Sequence, residues 1–290
     1  MEYGPEAKAV HRDVCCFVGY RVSCDDFSDA FASREHRGPG SLSLERARSF
    51  LESQFVPEAG LLRAAVYAEP DRRRIYIASD NLLASRAFNA LKSEMGRIIA
   101  EKLAAEHGNG FNGRHEVLFG ADIPDEFYVH TNVKVGEIKS EKFEAVFEIM
   151  FEKPDTSRRL DDWDEYADLI VYRALDKAFR GEDASSLFRK LLRRWDGFGF
   201  RDKAFEAEKR YETYKVALAL YLCQILKTRN EGCPADESVV GSWRNLLGLM
   251  QREDGGVVTH YVVENGKLKP VGDANVETTA IAVLALTTTS

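Results

Sequence analysis

The chain has 290 residues, 44% hydrophobic and 30% charged, a composition that supports one large or two modest folded domains. With 40 basic against 47 acidic residues the net charge is −7, which argues against nucleic acid or an anionic membrane surface as a partner. No apolar run reaches the length of a membrane span and the start lacks signal-peptide order, so a cytoplasmic protein is expected; five cysteines, two of them adjacent, support neither a disulfide framework nor a Cys-x-x-Cys metal knuckle.

Residues 1–42 read as an N-terminal segment. In it Asp25, Asp26 and Asp29 form an Asp-Asp-x-x-Asp string with Arg34, Arg37, Gly38 and Pro39 behind it. That string resembles the first aspartate-rich motif of isoprenyl diphosphate synthases, which implies magnesium-dependent diphosphate chemistry as one alternative. The second motif of those enzymes is missing.

From residue 43 onward the chain repeats a plan of amphipathic helix, short hairpin and apolar helix. The first copy carries Leu44, Ala47, Phe50 and Leu51 at helical spacing, a break at Gly60, a hairpin turning at Glu69-Pro70-Asp71, and a second helix opened by Ser79, Asp80 and Asn81. In an enlarged copy Met95, Ile98, Ile99 and Leu103 make the amphipathic stripe and "DDWDEYADLIVYRALDKAF" the second helix, with Trp163, Glu165 and Tyr166 at its mouth. Between these, residues 111–153 alternate at period two through Phe127, Val129, Val133, Val135, Phe143, Ala145, Phe147 and Ile149, which predicts a β-rich insertion able to meet a protein partner. His115 and His130 fall within it and read as surface histidines.

The next copy places Leu187, Phe188, Leu191, Leu192 and Trp195 on one face, then Asp196-Gly197, then "YETYKVALALYL" with Tyr211, Glu212, Tyr214 and Lys215 at its start. The last places Val239, Val240, Trp243, Leu246, Leu247 and Met250 on one face, then Asp254-Gly255-Gly256, strands on either side of Asn265-Gly266, and "GDANVETTAIAVLAL" with Asp273, Asn275 and Glu277 at its start. Glu212 and Glu277 occupy matching positions in these two copies.

Wholly apolar helices alternating with amphipathic ones are what an inner and an outer layer require. The pattern resembles the α/α-toroid superfamily of terpenoid cyclases, protein prenyltransferases and six-hairpin glycosidases, through "LLGLMQREDGG" and "VETTAIAVLAL" above all. The resemblance covers residues 43–91 and 160–290 and implies a mainly α, incomplete toroid of helical hairpins over 43–290, with the residues opening its inner helices gathered at one end. The Asp-x-Asp-Asp proton donor of the cyclases is absent, and the helix mouths hold none of the Cys and His that bind zinc in the prenyltransferases. No metal and no cofactor is therefore expected.

The site expected on this plan is an acidic central pocket that binds or hydrolyses a carbohydrate-like small molecule. Paired carboxyls facing one space suit acid/base chemistry, so Glu277 and Glu212 are the expected catalytic pair with Asp273 in reserve. Asp80, Asn81, Trp163, Glu165, Tyr166, Tyr211, Tyr214, Lys215 and Asn275 are the expected binding residues, the aromatic ones as stacking faces. Two alternatives stand beside this: a non-enzymatic interaction module whose polar helix openings only cap free N–H groups, and the magnesium-dependent isoprenoid enzyme.

Overall fold

The computed structural model describes residues 41–288. In chain order these form α1 (Leu44–Ser53), β1 (Phe55–Val56), β2 (Leu61–Leu62), β3 (Arg74–Tyr76), a π-helix (Ile77–Leu82) running into α2 (Leu83–Ala90), and α3 (Met95–Glu106). A 3-10 turn (His115–Phe119) leads to the long strands β4 (Tyr128–Ser140) and β5 (Ala145–Arg159), followed by α4 (Ala167–Phe179), α5 (Ser185–Leu192) and α6 (Lys203–Glu208). The chain closes with β6 (Tyr211–Glu212), α7 (Thr213–Thr228), α8 (Glu237–Leu249), β7 (Val257–Glu264), β8 (Lys267–Asn275) and α9 (Val276–Thr287).

Burial follows the hydrophobic patterning closely in the helices. α1, α5 and α8 bury one stripe each, Ala47-Phe50-Leu51, Phe188-Leu191 and Val240-Trp243-Leu246-Leu247. α7 is buried from Thr213 to Leu226 and α9 from Val276 to Ala285, as helices apolar all round must be. α4, α7, α9 and α2 pack side by side in that order, with α3, α5 and α8 against their outer sides. The start of α1 is locked to the loop after α8. The Gln251 amide accepts from Ser43 N (2.8 Å) and donates to Ser43 O and Gly255 O (2.9 Å each). Gly255 lies at φ +94°, and a Cβ there would fall 2.0 Å from Arg46 O; one on Gly256 would meet the Phe50 ring at 2.6 Å. The glycine pair is what lets α1 reach this loop.

The mainly α toroid of hairpins is corrected by this architecture. Among the described residues the fold is mixed α/β, 48% helix and 23% strand, with three small sheets. The reason lies in where the short connecting runs pair. The expected hairpin at Glu69-Pro70-Asp71 does not form: β1 and β2 pair instead around Gly60, while β3 lies parallel to β5, matching Ile75 with Ile149. β6 likewise joins β7, matching Glu212 with His260, so segments distant in sequence build shared sheets. The β7–β8 hairpin forms as expected, with Asn265 (φ 51°) and Gly266 (φ 73°) in the left-handed turn that such a link requires.

In the 111–153 region, strands begin only at Tyr128 and β5 runs on to Arg159. Val133 and Val135 are exposed rather than inward-facing. Cys223 and Cys233 are disulfide-bonded, contrary to the cysteine reading: the turn after α7 brings Cys233 back beside that helix. No helix among the described residues is long and apolar enough to cross a membrane. The Asp25-Asp26-Asp29 string lies outside the described residues.

Candidate functional site

The residues that open the four buried helices meet around Glu277. It is buried at 2% exposure, and Asp80 (before α2), Asp168 and Tyr172 (α4), and Glu212 and Tyr214 (α7) all interact electrostatically with it. Burial first, then the charges of Glu152, Glu212 and Asp168, push the Glu277 carboxyl far above the usual carboxylate range, with only Arg114 opposing. Asp80 is raised the same way, by burial and then by Glu277, Glu152 and Asp71. Burial and like charge thus both work against ionisation of these two carboxyls.

Lys215 organises the opposite side. Its Nζ lies 2.6 Å from Asp202 Oδ2 and 3.9 Å from Asp168 Oδ1, and it also contacts the Glu212 carboxylate. Burial works against the ammonium, but Asp202, Glu212 and Asp168 together hold it charged. Asp202 is its ionised partner. Burial raises that carboxyl, and Lys215 with the N–H groups of Ala167 (2.9 Å) and Phe205 (3.1 Å) more than reverses the effect. Glu212 loses this competition: burial pushes it up to about 7 despite Lys215. It is also the most open member of the cluster, with 18% of its side chain exposed.

His115 faces Glu277 in a defined tautomer. Asn112 Oδ1 accepts from the N–H groups of Arg114 (3.1 Å) and His115 (3.2 Å), which leaves Asn112 Nδ2 to donate to His115 Nδ1 (3.1 Å). The ring proton therefore sits on Nε2, 3.8 Å from Glu277 Oε1. Burial, then Arg114, depresses His115 to about 3, so it is a neutral donor. Its ring packs edge-on against Tyr172, with centroids 5.8 Å apart. Across the cluster Asp80 Oδ2, Asp168 Oδ1, His115 Nε2, Tyr172 Oη and Thr213 Oγ1 are buried with no hydrogen-bond partner. Such atoms are rare in folded proteins because each costs desolvation energy.

Other expected site residues serve the framework. Asp273 Oδ2 accepts from the N–H groups of Val66 (3.1 Å), Tyr67 (2.6 Å) and Ala68 (3.0 Å), while Oδ1 takes Ala274 N (2.9 Å) and Arg252 (3.3 Å). Asn81 is fully engaged with Leu62 and Tyr76, and Asn275 caps α9 by accepting from Thr278 N (2.9 Å). Tyr211 donates to Asp196 (2.6 Å) and stacks on Tyr261. Trp163 packs on Phe127, Tyr166 lies under Lys203, and Glu165 is exposed 3.7 Å from Lys203 Nζ. In the "DDWDE" string Asp161, Asp162 and Asp164 each pair with a basic side chain, and the described residues contain no group of His, Cys, Asp and Glu placed to hold a metal.

Several members of the cluster escape sequence reasoning. Asp168 and Tyr172 interrupt the apolar run "ADLIVYRAL", a signal that was available, since polar groups in a buried helix need a reason. Glu152 sits in β5, where its carboxylate accepts from Ala78 N (3.0 Å), Ser79 N (3.1 Å) and the Ser79 hydroxyl, and so anchors the π-helix that carries Asp80. Arg114 and His115 come from an aperiodic loop, and both are buried rather than surface groups; His130 is also largely covered, and burial and Arg114 take it to about 2. No protein-family model, curated protein or solved structure matches this chain.

Proposed function

We propose that the chain binds a small polyhydroxylated, carbohydrate-like molecule in the buried cluster around Glu277, and that Glu277 and Glu212 act on it as an acid/base pair. One observation carries this: the unpartnered buried atoms include acceptors (Asp80 Oδ2, Asp168 Oδ1), a donor (His115 Nε2) and hydroxyls able to do both (Tyr172, Thr213). A ligand bearing several hydroxyls satisfies both kinds at once. Glycosidic hydrolysis needs one carboxyl that holds a proton and one that gives it up. Burial and like charge keep Glu277 neutral, and Glu212, at about 7, changes state near neutrality beside a fixed ammonium. In this reading Glu277 protonates the leaving oxygen while Glu212 activates water.

The test is calorimetric titration with neutral mono- and disaccharides, alongside reducing-end release from the disaccharides. A Kd at or below about 1 mM, worth about 4 kcal/mol, supports binding, and its loss in Asp168→Asn or Tyr172→Phe places the ligand in the cluster. Binding that survives both substitutions rejects the assignment. Turnover abolished by Glu277→Gln with binding kept supports the acid role. A second reading, an interaction module, draws on the β4–β5 hairpin, whose Val133, Val135 and Val146 are exposed.

A further inference from the structure

The cluster is short of positive charge, and the shortage is local. Six carboxyl groups are gathered there, Asp80, Glu152, Asp168, Asp202, Glu212 and Glu277, against the two permanent cations Lys215 and Arg114. Lys215 is committed to Asp202 at 2.6 Å and to Glu212. Arg114 Nη2 donates to Tyr128 O at 2.8 Å, and its charge is spread over Asp168, Tyr214 and Glu152.

Among the described residues, no Lys or Arg forms an ion pair with Asp80 or Glu277. Facing Glu277 are Glu152 from β5, Glu212 and Tyr214 from the start of α7, Asp168 and Tyr172 from α4, Asp80 from the π-helix, Arg114 just before the 3-10 turn, and the neutral His115 at that turn's first position. Asp80 is faced by Glu277, Glu152 and Asp71. Of these only Arg114 is positive. Yet Asp80 Oδ2 is buried with no hydrogen-bond partner, and the imidazole 3.8 Å from Glu277 Oε1 is neutral.

Resting on the reading of this cluster as a ligand site, we propose that its ligand carries a protonated nitrogen, an amine or guanidinium on a hydroxylated small molecule, which docks between Asp80 Oδ2 and Glu277. The nitrogen supplies the hydrogen bonds and the charge that the described residues leave out on this side. The carboxyl it meets gives up its proton to solvent as the ion pair forms, so binding releases a proton and tightens with rising pH for as long as the amine stays charged.

Glucosamine, its neutral analogue N-acetylglucosamine, and putrescine, a diamine without hydroxyls, separate the claims. Calorimetry over about pH 5.5 to 7, in buffers of different ionisation enthalpy, reads affinity and proton release together. The proposal predicts that glucosamine binds at least about tenfold tighter than N-acetylglucosamine, gains up to about tenfold in affinity per pH unit, and loses both advantages in Asp80→Asn. Equal affinity of the two sugars overturns the cation while leaving the polyol site standing. Binding of putrescine alone, with proton release, upholds the cation and overturns the polyol. If none of the three binds the folded protein, both fall.

Discussion

Glu212→Gln separates the cost of the buried carboxyl from the contact it makes with Lys215. Burial raises Glu212 from its usual 4.5 to about 7, which places roughly 3 kcal/mol against its ionised form. Since 18% of the side chain reaches solvent, about 2 kcal/mol is the realistic figure. The folded protein holds this proton more tightly than the unfolded chain does. Stability therefore falls as pH rises from about 4.5 to about 7 and levels off above that. Glutamine cannot ionise, and Lys215 keeps Asp202 as its charged partner at 2.6 Å. At about pH 8 the variant is expected to be more stable by about 2 kcal/mol, a rise in Tm of roughly 3 to 4 °C for a chain of this size. At about pH 4 the two proteins should coincide. Thermal or urea unfolding of both across this range reads the difference. A variant less stable than wild type at about pH 8 would refute the reasoning, because the Lys215–Glu212 contact would then be a net gain.

Further substitutions test other parts. Asp273→Ala strips the acceptor from three consecutive N–H groups and from Arg252; it should cost about 2 to 4 kcal/mol and speed amide exchange at Val66, Tyr67 and Ala68. Gly255→Ala forces a side chain onto Arg46 O at an unfavourable φ and should lower stability by about 2 to 4 kcal/mol in chemical denaturation, whereas alanine at the half-buried Gly241, where a Cβ meets open space, should not. Replacing Cys223 and Cys233 by serine opens a ring closed across a separation of 10 residues and should cost about 3 kcal/mol in the oxidised protein, with no effect under reducing conditions.

Much of the helical framework was legible because burial imposes a period on the residues themselves. The stripes of α1, α5 and α8 and the unbroken apolar faces of α7 and α9 carry their environment in their spacing. The matching places of Glu212 and Glu277 open two helices that pack together, and Glu212 acts electrostatically on Glu277. Pairing between remote strands leaves no such trace. Nothing in Arg74-Ile75-Tyr76 states that its neighbour is Ile149, and a three-residue strand is too short to show a period. The same holds for Arg114, His115 and Glu152, whose importance comes from what the fold brings near them. Asp273 and Asn275 show the reverse error: polar residues at a helix mouth suggested a ligand where backbone N–H groups already occupy them.

The central claim is that five separate segments enclose one binding site. Titrating isotopically labelled protein with glucosamine while following the backbone amides of Ser79, His115, Asp168, Thr213 and Glu277 by NMR tests it most directly. The account predicts that all five shift together along one saturation curve, while amides of the β4–β5 turn around Lys142 stay still. Shifts confined to the hairpin, or affinities that differ from segment to segment, would contradict it.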